Sequence, residues 1–336
     1  MAKNNNLTDF TTDIANALRV KKNIVGLINP QNFSSEIASI ETVEDYTDID
    51  AALNELDDVI NGTYQTESII AYATAQSGIT YTTVSDLSSY TDEQIDAISK
   101  AISNCADITS STQTVYLSNS TSISIGATRS YTLSTQESMT DRILGFNHDT
   151  LTSSTAYGEA TASGKAGMTW QMVNCLATRY PMSDSSSNAG GWNSSKMKVS
   201  TIPTLLALLP NELQGVVKTV EKKSANGGSS NYSATVTTSE NLFLLAGVEI
   251  FGSSDSYGYA QDGANEGTQY AYWAAHNTAN DRIKYYDNAG TLSAITWWER
   301  SSNSASTNYF CAVTNGGIAY YSGASNTRGV AFAYCT

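Results

Sequence analysis

Charge is scarce in this chain. Only 15% of its 336 residues are Asp, Glu, Lys or Arg, and the balance is 18 basic against 32 acidic, a formal net charge of −14. Neutralising nucleic-acid phosphates takes clustered Lys and Arg, and so does holding to anionic lipid. The composition speaks against both partner classes. Long apolar runs are missing too. The longest, Ile202 to Leu209, contains Pro203 and Thr204 and falls far short of the ~20 residues of a membrane span. Met1 to Phe10 is polar and lacks the apolar core of a secretion signal. Synthesis in a cytoplasm is therefore expected, with release by a route such as cell lysis. Histidine is nearly absent. With only His148 and His276, a His-rich zinc site and HExxH are ruled out. No GxSxG elbow accompanies them, and no GxxxxGK[ST] loop exists; Gly227-Gly228 reads as a turn. The four cysteines, Cys105, Cys175, Cys311 and Cys335, form no CxxC and are too few for a disulfide framework. Cys311 and Cys335 lie near the ends of two C-terminal strand-like runs, where pairing and two buried free thiols both remain open.

The polarity that charge does not supply comes from Ser, Thr and Asn, beside 40% hydrophobic residues and 20 tyrosines. Such chemistry suits an extracellular recognition surface better than a metabolic enzyme. The length fits two domains with connecting pieces, large enough to bury a core without disulfides.

Three regions follow from the patterning. Residues 1–62 read as helical. Leu7 to Leu18 carries Phe10, Ile14, Ala17 and Leu18 at helical spacing, Pro30 precedes a second helix from Phe33 to Ile40, and Asp45 to Asn61 places Ile49, Leu53, Leu56 and Ile60 on a heptad seam. This region is expected to attach and oligomerise. Residues 63–114 read as a helical and strand connector. There Ser89-Tyr90-Thr91-Asp92-Glu93 starts a helix with carboxylates in its first turn and Ile95, Ile98 and Ile102 as its buried stripe. From 115 to 336 the chain is expected to be α+β. Thr/Ser alternating with Val, Tyr and Ile between 105 and 135 is strand chemistry, and Arg142 to Phe146 reads as a core strand. Ala166 to Arg179 reads as a helix with Met168, Met172 and Leu176 on one face. One or two helices broken by Pro210 lie within Ile202 to Val220. Leu242 to Ile250 is a buried strand or short helix, and the tail from Ile295 is short strands and polar turns. Trp192, Trp297, Trp298 and Phe332 read as core.

Several stretches in order carry a resemblance: Ile143-Leu-Gly-Phe-Asn-His-Asp149, Lys165-Ala-Gly-Met, Asn188-Ala-Gly-Gly-Trp192, Leu209-Pro-Asn-Glu-Leu213, Val248-Glu-Ile-Phe-Gly252, Glu266-Gly-Thr-Gln-Tyr270, Trp297-Trp-Glu-Arg-Ser301 and Gly329-Val-Ala-Phe332. Together they resemble a C-type-lectin-fold domain over about two thirds of the chain. The resemblance implies a compact unit whose last strands form a display face. Some members of that fold group are variable proteins of diversity-generating retroelements, and the tail at about 296–336 has the Ser/Thr/Asn/Tyr composition of such a diversified patch. Separately, Thr12-Asp-Ile-Ala-Asn-Ala-Leu-Arg19 and Ile28-Asn-Pro-Gln-Asn-Phe33-Ser-Ser-Glu-Ile37 resemble the attachment motif of phage tail proteins. An attachment module first and a lectin-like domain last is the layout of a receptor-binding tail protein. It implies a virion protein made in a bacterial host, a homotrimer, other tail or baseplate proteins as N-terminal partners, and a host cell-surface protein or glycan as ligand.

Tyr supplies amphipathic contact area at low entropy cost, and Ser, Gly and Asn supply adaptable hydrogen bonds. The expected contact set is Ser304, Thr307, Asn308, Tyr309, Thr314, Asn315, Ile318, Tyr320, Tyr321, Asn326, Thr327 and Arg328. Period-2 alternation puts Ile318 and Tyr320 on one face and Tyr321 on the other. Arg328 suits an acidic sugar or carboxylate, or is simply solvated. Tyr272 and Trp273 are candidates for stacking on a sugar. No catalytic residue, metal or cofactor is expected. Asp255, Asp262, Glu266 and Asp281 would be the carboxylates of a glycan hydrolase, but their Gly, Ser, Asn and Tyr neighbours read as solvated loop. No EF-hand loop is present. The Glu-Pro-Asn and Trp-Asn-Asp signatures of calcium-dependent lectins are absent, since Trp192 is followed by Asn193-Ser194. The cysteine-dependent formylglycine-generating enzymes that share the fold are a remote alternative. The nearer competitors are a tail decoration protein without a receptor role and a glycan depolymerase.

Overall fold

Helix α1 (Asp92–Ser103) begins where the sequence places a cap. Thr91 Oγ1 accepts the Gln94 N–H at 3.2 Å, and Gln94 Oε1 accepts the Thr91 N–H at 3.0 Å, so two orphan donors are satisfied reciprocally. Ile95, Ile98 and Ile102 form its fully buried face. In the computed structural model, residues 15–16, 69–227, 234–252, 265–303 and 306–336 are described. The chain divides into two compact units, Met1–Ser68 and Ile69–Thr336. Within the first, Ala15 and Asn16 are helical; the rest of the expected helices at 7–18 and 33–40 and the heptad seam at 45–61 lie outside the described residues.

The second unit is α+β with strands dominant. Its main sheet runs in the order β1 (Ala71–Tyr72), β3 (Thr114–Leu117), β4 (Thr121–Thr132), β5 (Ser138–Phe146), β6 (Met168–Met172), β15 (Ala333–Cys335) and β9 (Leu242–Phe243), with β2 (Thr82–Asp86) parallel to β4. Of the connector expected at 63–114, β1, β2 and α1 belong to this unit, and β3 begins at its last residue, Thr114. Pro210 separates two short helices, Ile202–Leu206 and Asn211–Val216. Two hairpins follow, β7 (Val220–Ala225) with β8 (Thr235–Glu240) and β10 (Lys284–Asn288) with β11 (Thr291–Ile295). Leu242 to Ile250 holds both the strand β9 and the start of a short helix, Gly247–Phe251. A three-stranded antiparallel sheet is formed by β12 (Trp297–Ser302), β13 (Tyr309–Val313) and β14 (Ala319–Gly323).

The expected helix at 166–179 is instead the central strand β6. Met168 and Met172 are four residues apart, a spacing that fits one helix face and one strand face equally. All five residues of β6 are buried, and a strand covered on both faces loses the alternation that identifies it. Gly167 enters this strand directly under α1, where a Cβ would lie 1.9 Å from the Ser99 carbonyl oxygen. Ser99 Oγ in turn bonds Thr336 Oγ1 at 2.8 Å.

On the face of the sheet beneath α1, Arg129 meets Asp92 at 2.6 Å. Directly opposite Arg129 across the β4–β5 ladder stands Asp141, fully buried. Its two oxygens close no hydrogen bond of ordinary geometry. Burial raises its carboxyl to about 6, against the opposing pull of the Tyr334 and Tyr131 hydroxyls and of Arg129. The folded value exceeds the ordinary 3.8, so this group's contribution to stability is present at acid pH and is lost as pH rises through the folded value. Urea unfolding midpoints across pH 4 to 7 should fall with rising pH over that window, and Asp141→Asn should flatten the fall.

Candidate functional site

The display strands carry two kinds of residue. All of β12 is buried, and Trp297 and Trp298 anchor it: their indole N–H groups donate to the carbonyls of Arg282 at 3.1 Å and Tyr180 at 2.8 Å. Trp192 and Phe332 are buried as well. In contrast Tyr309, Ile318 and Tyr320 keep 43%, 41% and 47% of their surface exposed, as Val199 and Leu292 do elsewhere on the unit.

Pairing divides the expected contact set between two faces. Cys311 lies opposite Tyr321 and Tyr309 opposite Gly323, whereas Ala312 lies opposite Tyr320. Directly opposed residues share a face, so Tyr309 and Tyr321 are on one side and Tyr320 on the other, with Ile318 two residues before it. The alternation expected for 318–321 is present, but Tyr309 does not join the Tyr320 side. Thr307 and Asn308 are exposed, and their loop is pinned from below. Asn188 Nδ2 donates to the carbonyls of Ser306 and Tyr309, both at 2.8 Å, and Ala324 N–H donates to the Asn308 carbonyl at 2.9 Å. Thr314 holds its turn rather than facing outward: Oγ1 accepts the N–H groups of Gly316 and Ile318 at 3.3 and 3.1 Å. Asn315, Asn326 and Thr327 are exposed at turns. Arg328 is half-buried, paired through its backbone with Tyr180, and its Nε donates to Ser322 Oγ at 2.9 Å. Ser304 lies outside the described residues.

Two other expectations are corrected, those for Tyr272 with Trp273 and for Glu266. Tyr272 and Trp273 are buried, 6% and 1% exposed. The Tyr272 ring stacks with His276 at 4.2 Å and meets the Arg142 guanidinium at 4.8 Å. Glu266 is not in a solvated loop but 1% exposed. Asp281 accepts Thr278 N–H and Oγ1 at 3.0 and 2.6 Å within its own turn. Asp255 and Asp262 lie outside the described residues. No disulfide joins the four cysteines; Cys105 is half-buried and the others are buried. Among the described residues no three His, Cys, Asp or Glu side chains gather to hold a metal ion, and no helix is long and apolar enough to cross a membrane.

Below β12 lies a site that the sequence did not announce, a network of buried ions. Arg300 pairs with Glu249 through two nitrogens, at 2.5 and 2.9 Å, and donates to the carbonyls of Lys223, Leu244 and Glu266. Glu249 Oε1 also meets Lys222 Nζ at 2.5 Å, and Lys222 meets Asp149 Oδ1 at 2.7 Å. Asp149 Oδ2 accepts Thr169 Oγ1 at 2.6 Å and Tyr270 Oη at 2.8 Å. Glu266 accepts the Ala225 N–H at 2.5 Å and the Ser301 hydroxyl. Burial opposes ionisation of Asp149, yet Lys222 and then His148 outweigh it and hold the carboxyl well below the usual range. Glu249 is likewise lowered against burial, by Arg300 and then Lys222. Glu266 is raised, because burial outweighs the pull of Arg300. A cavity of about 260 Å³ opens over this network, with His148, Thr150, Glu221 and Thr268 among its walls.

Four of the stretches quoted for the resemblance supply Asp149, Glu249, Glu266 with Tyr270, and Arg300. Glu266 is weighed only as a hydrolase carboxylate and the others carry no role in the sequence, because their meeting spans separations such as 121 residues between Asp149 and Tyr270. The one local signal was charge inside apolar strands, as in Trp297-Trp-Glu-Arg.

The fold and site thus define a mixed α/β domain in which buried ions brace a small sheet with an exposed edge. Residues 167–335 match a family described as a domain of unknown function, DUF6273. The chain belongs to that family. Neither a curated protein nor a solved structure matches it.

Removing one partner of a buried ion pair leaves an uncompensated charge. Arg300→Met should therefore cost about 3–5 kcal/mol in a urea unfolding curve. Adding Glu249→Gln to it should recover part of the loss, since residues in contact do not add.

Proposed function

We infer that this protein is a phage tail or baseplate protein that binds a host cell-surface ligand through the C-terminal strands of a C-type-lectin-like domain. One observation carries the reading, the contrast within β12–β14. Strand β12 is wholly buried and anchored by two tryptophans, while Ile318 and Tyr320 stay exposed beside polar turns. A rigid scaffold under an exchangeable surface is what an adhesin requires, and Tyr with Ser and Asn is the composition that gives contact area with adaptable hydrogen bonds. The ordered sequence stretches and the N-terminal likeness to tail attachment segments support the same reading. The ligand is a host protein or glycan. Linking three weak sites in a homotrimer would raise apparent affinity by ~10²–10⁴ without any new contact.

Replacing Tyr320, Tyr321 and Arg328 together by Ala tests it. Particles should assemble normally and lose adsorption to host cells. Unchanged adsorption would instead make the domain a decoration of the virion, and release of reducing ends from host capsule would make it a depolymerase. The proposed diversification has its own test in deep sequencing of the 3′ end of the gene from a particle population. Variation should concentrate in codons for Ser302–Arg328 at positions pointing outward, such as Ile318 and Tyr320; a uniform 3′ end would remove diversification and leave a fixed adhesin.

A further inference from the structure

The Lys222–Asp149–Glu249 cluster has the parts of a reaction as well as of an ion pair. Lys222 Nζ is 2.7 Å from Asp149 Oδ1 and 2.5 Å from Glu249 Oε1, with every side chain at most 3% exposed. The rings of Phe243 and Tyr270 flank Nζ at 4.4 and 5.4 Å, so bulk water does not separate amine from carboxyl. The other carboxyl oxygen of Asp149 is held by two hydroxyl donors, Thr169 and Tyr270, at 2.6 and 2.8 Å. Donors fixed on that oxygen are placed to stabilise negative charge developing there. On the Oδ1 side, His148 Nδ1 lies 3.5 Å away, buried and without a hydrogen-bond partner. The cavity above the network, lined by His148, Asp149, Lys222 and Glu249, opens on this same side.

We propose that Lys222 and Asp149 condense to an intramolecular amide that covalently ties β7 to the segment following β5. The balance needs no oxidant or co-reactant. Glu249 takes a proton from the Lys222 ammonium, and the freed Nζ lone pair attacks Asp149 Cγ. Charge develops on Oδ2 under the Thr169 and Tyr270 hydroxyls. The Cγ–Oδ1 bond then breaks, and Oδ1 departs as water with two of the three ammonium protons. The third stays as the amide N–H. One positive and one negative charge vanish together.

Proximity must overcome one obstacle, and the loss of buried charge favours the product. Asp149 is held ionised in the unreacted pair, and an ionised carboxyl resists attack, so the reaction depends on the fixed donors at Oδ2 and on the proximity of reacting groups that the fold enforces. In return, two buried charges, each costly to desolvate, are replaced by a neutral amide whose oxygen keeps the Thr169 and Tyr270 hydrogen bonds. Glu249 keeps Arg300 as its partner.

The test is the mass of the intact, denatured, wild-type chain. It should be lighter than the sequence mass by one water, and proteolysis should yield a branched peptide joining the segments that contain Asp149 and Lys222. Glu249→Gln, which keeps the side-chain shape and removes the base, should show the full sequence mass or a slowed loss of water. If the folded wild-type protein holds the full sequence mass, the cluster is an ion network and the proposal fails. If water is lost but maps elsewhere, for instance to a cyclised Asp262-Gly263, the proposal also fails. Neither measurement depends on a variant that folds poorly.

Discussion

Arg300 fastens parts of the domain that are far apart in the chain. Its guanidinium reaches Glu249 on one short helix and the carbonyls of Lys223 on β7, Leu244 after β9 and Glu266 before the helix Ala271–Ala275. A planar group with five donors in a fixed fork can satisfy so many acceptors at once. The cost of burying it is met only while all of them are in place, since a half-satisfied buried network is worse than an apolar core. Because Arg300 lies on β12, the wholly buried strand of the small sheet, the geometry of the display strands is slaved to this network.

The consequence for the surface is a graded rigidity. β12 is clamped by Arg300 from below and by the Trp297 and Trp298 N–H groups at its start. β13 is buried except at Tyr309, and β14 is the edge. Exposed edges invite unwanted pairing; here the edge strand is only five residues long and ends in turns rich in Ser and Asn. Asn188 adds a second clamp, holding the carbonyls of the loop that leads into β13. Side chains on such a frame can change without moving the backbone, because the backbone's hydrogen bonds are satisfied from inside.

Much of the local structure was legible. The Thr91 cap and the isoleucine stripe of α1, the core strand at 142–146, the break at Pro210 and the outward alternation of Ile318 and Tyr320 all rest on contacts within a few residues. The failures share a cause. β6 reads locally as a helix because Met168 and Met172 satisfy both periods and full burial erases alternation. Tyr272 and Trp273 read as candidates for sugar stacking because their rings suit it, and Glu266 reads as solvated because of its Gly, Asn and Tyr neighbours; in each case a distant segment covers them.

By itself the sequence determined the class of the chain: acidic, strand-rich in its second part, cored by tryptophan and isoleucine, and ending in short strands with a Tyr/Ser/Thr/Asn surface. These properties are set by composition and by periodicity over a few residues, which any fold must respect. Only the tertiary structure decided which side of the small sheet each tyrosine faces, and that Asp149, Lys222, Glu249, Glu266 and Arg300 meet. Strand register and the pairing of buried charges are settled by which segments lie side by side. The free energy of a buried ion depends on partners that arrive from elsewhere in the chain, and no local pattern records them.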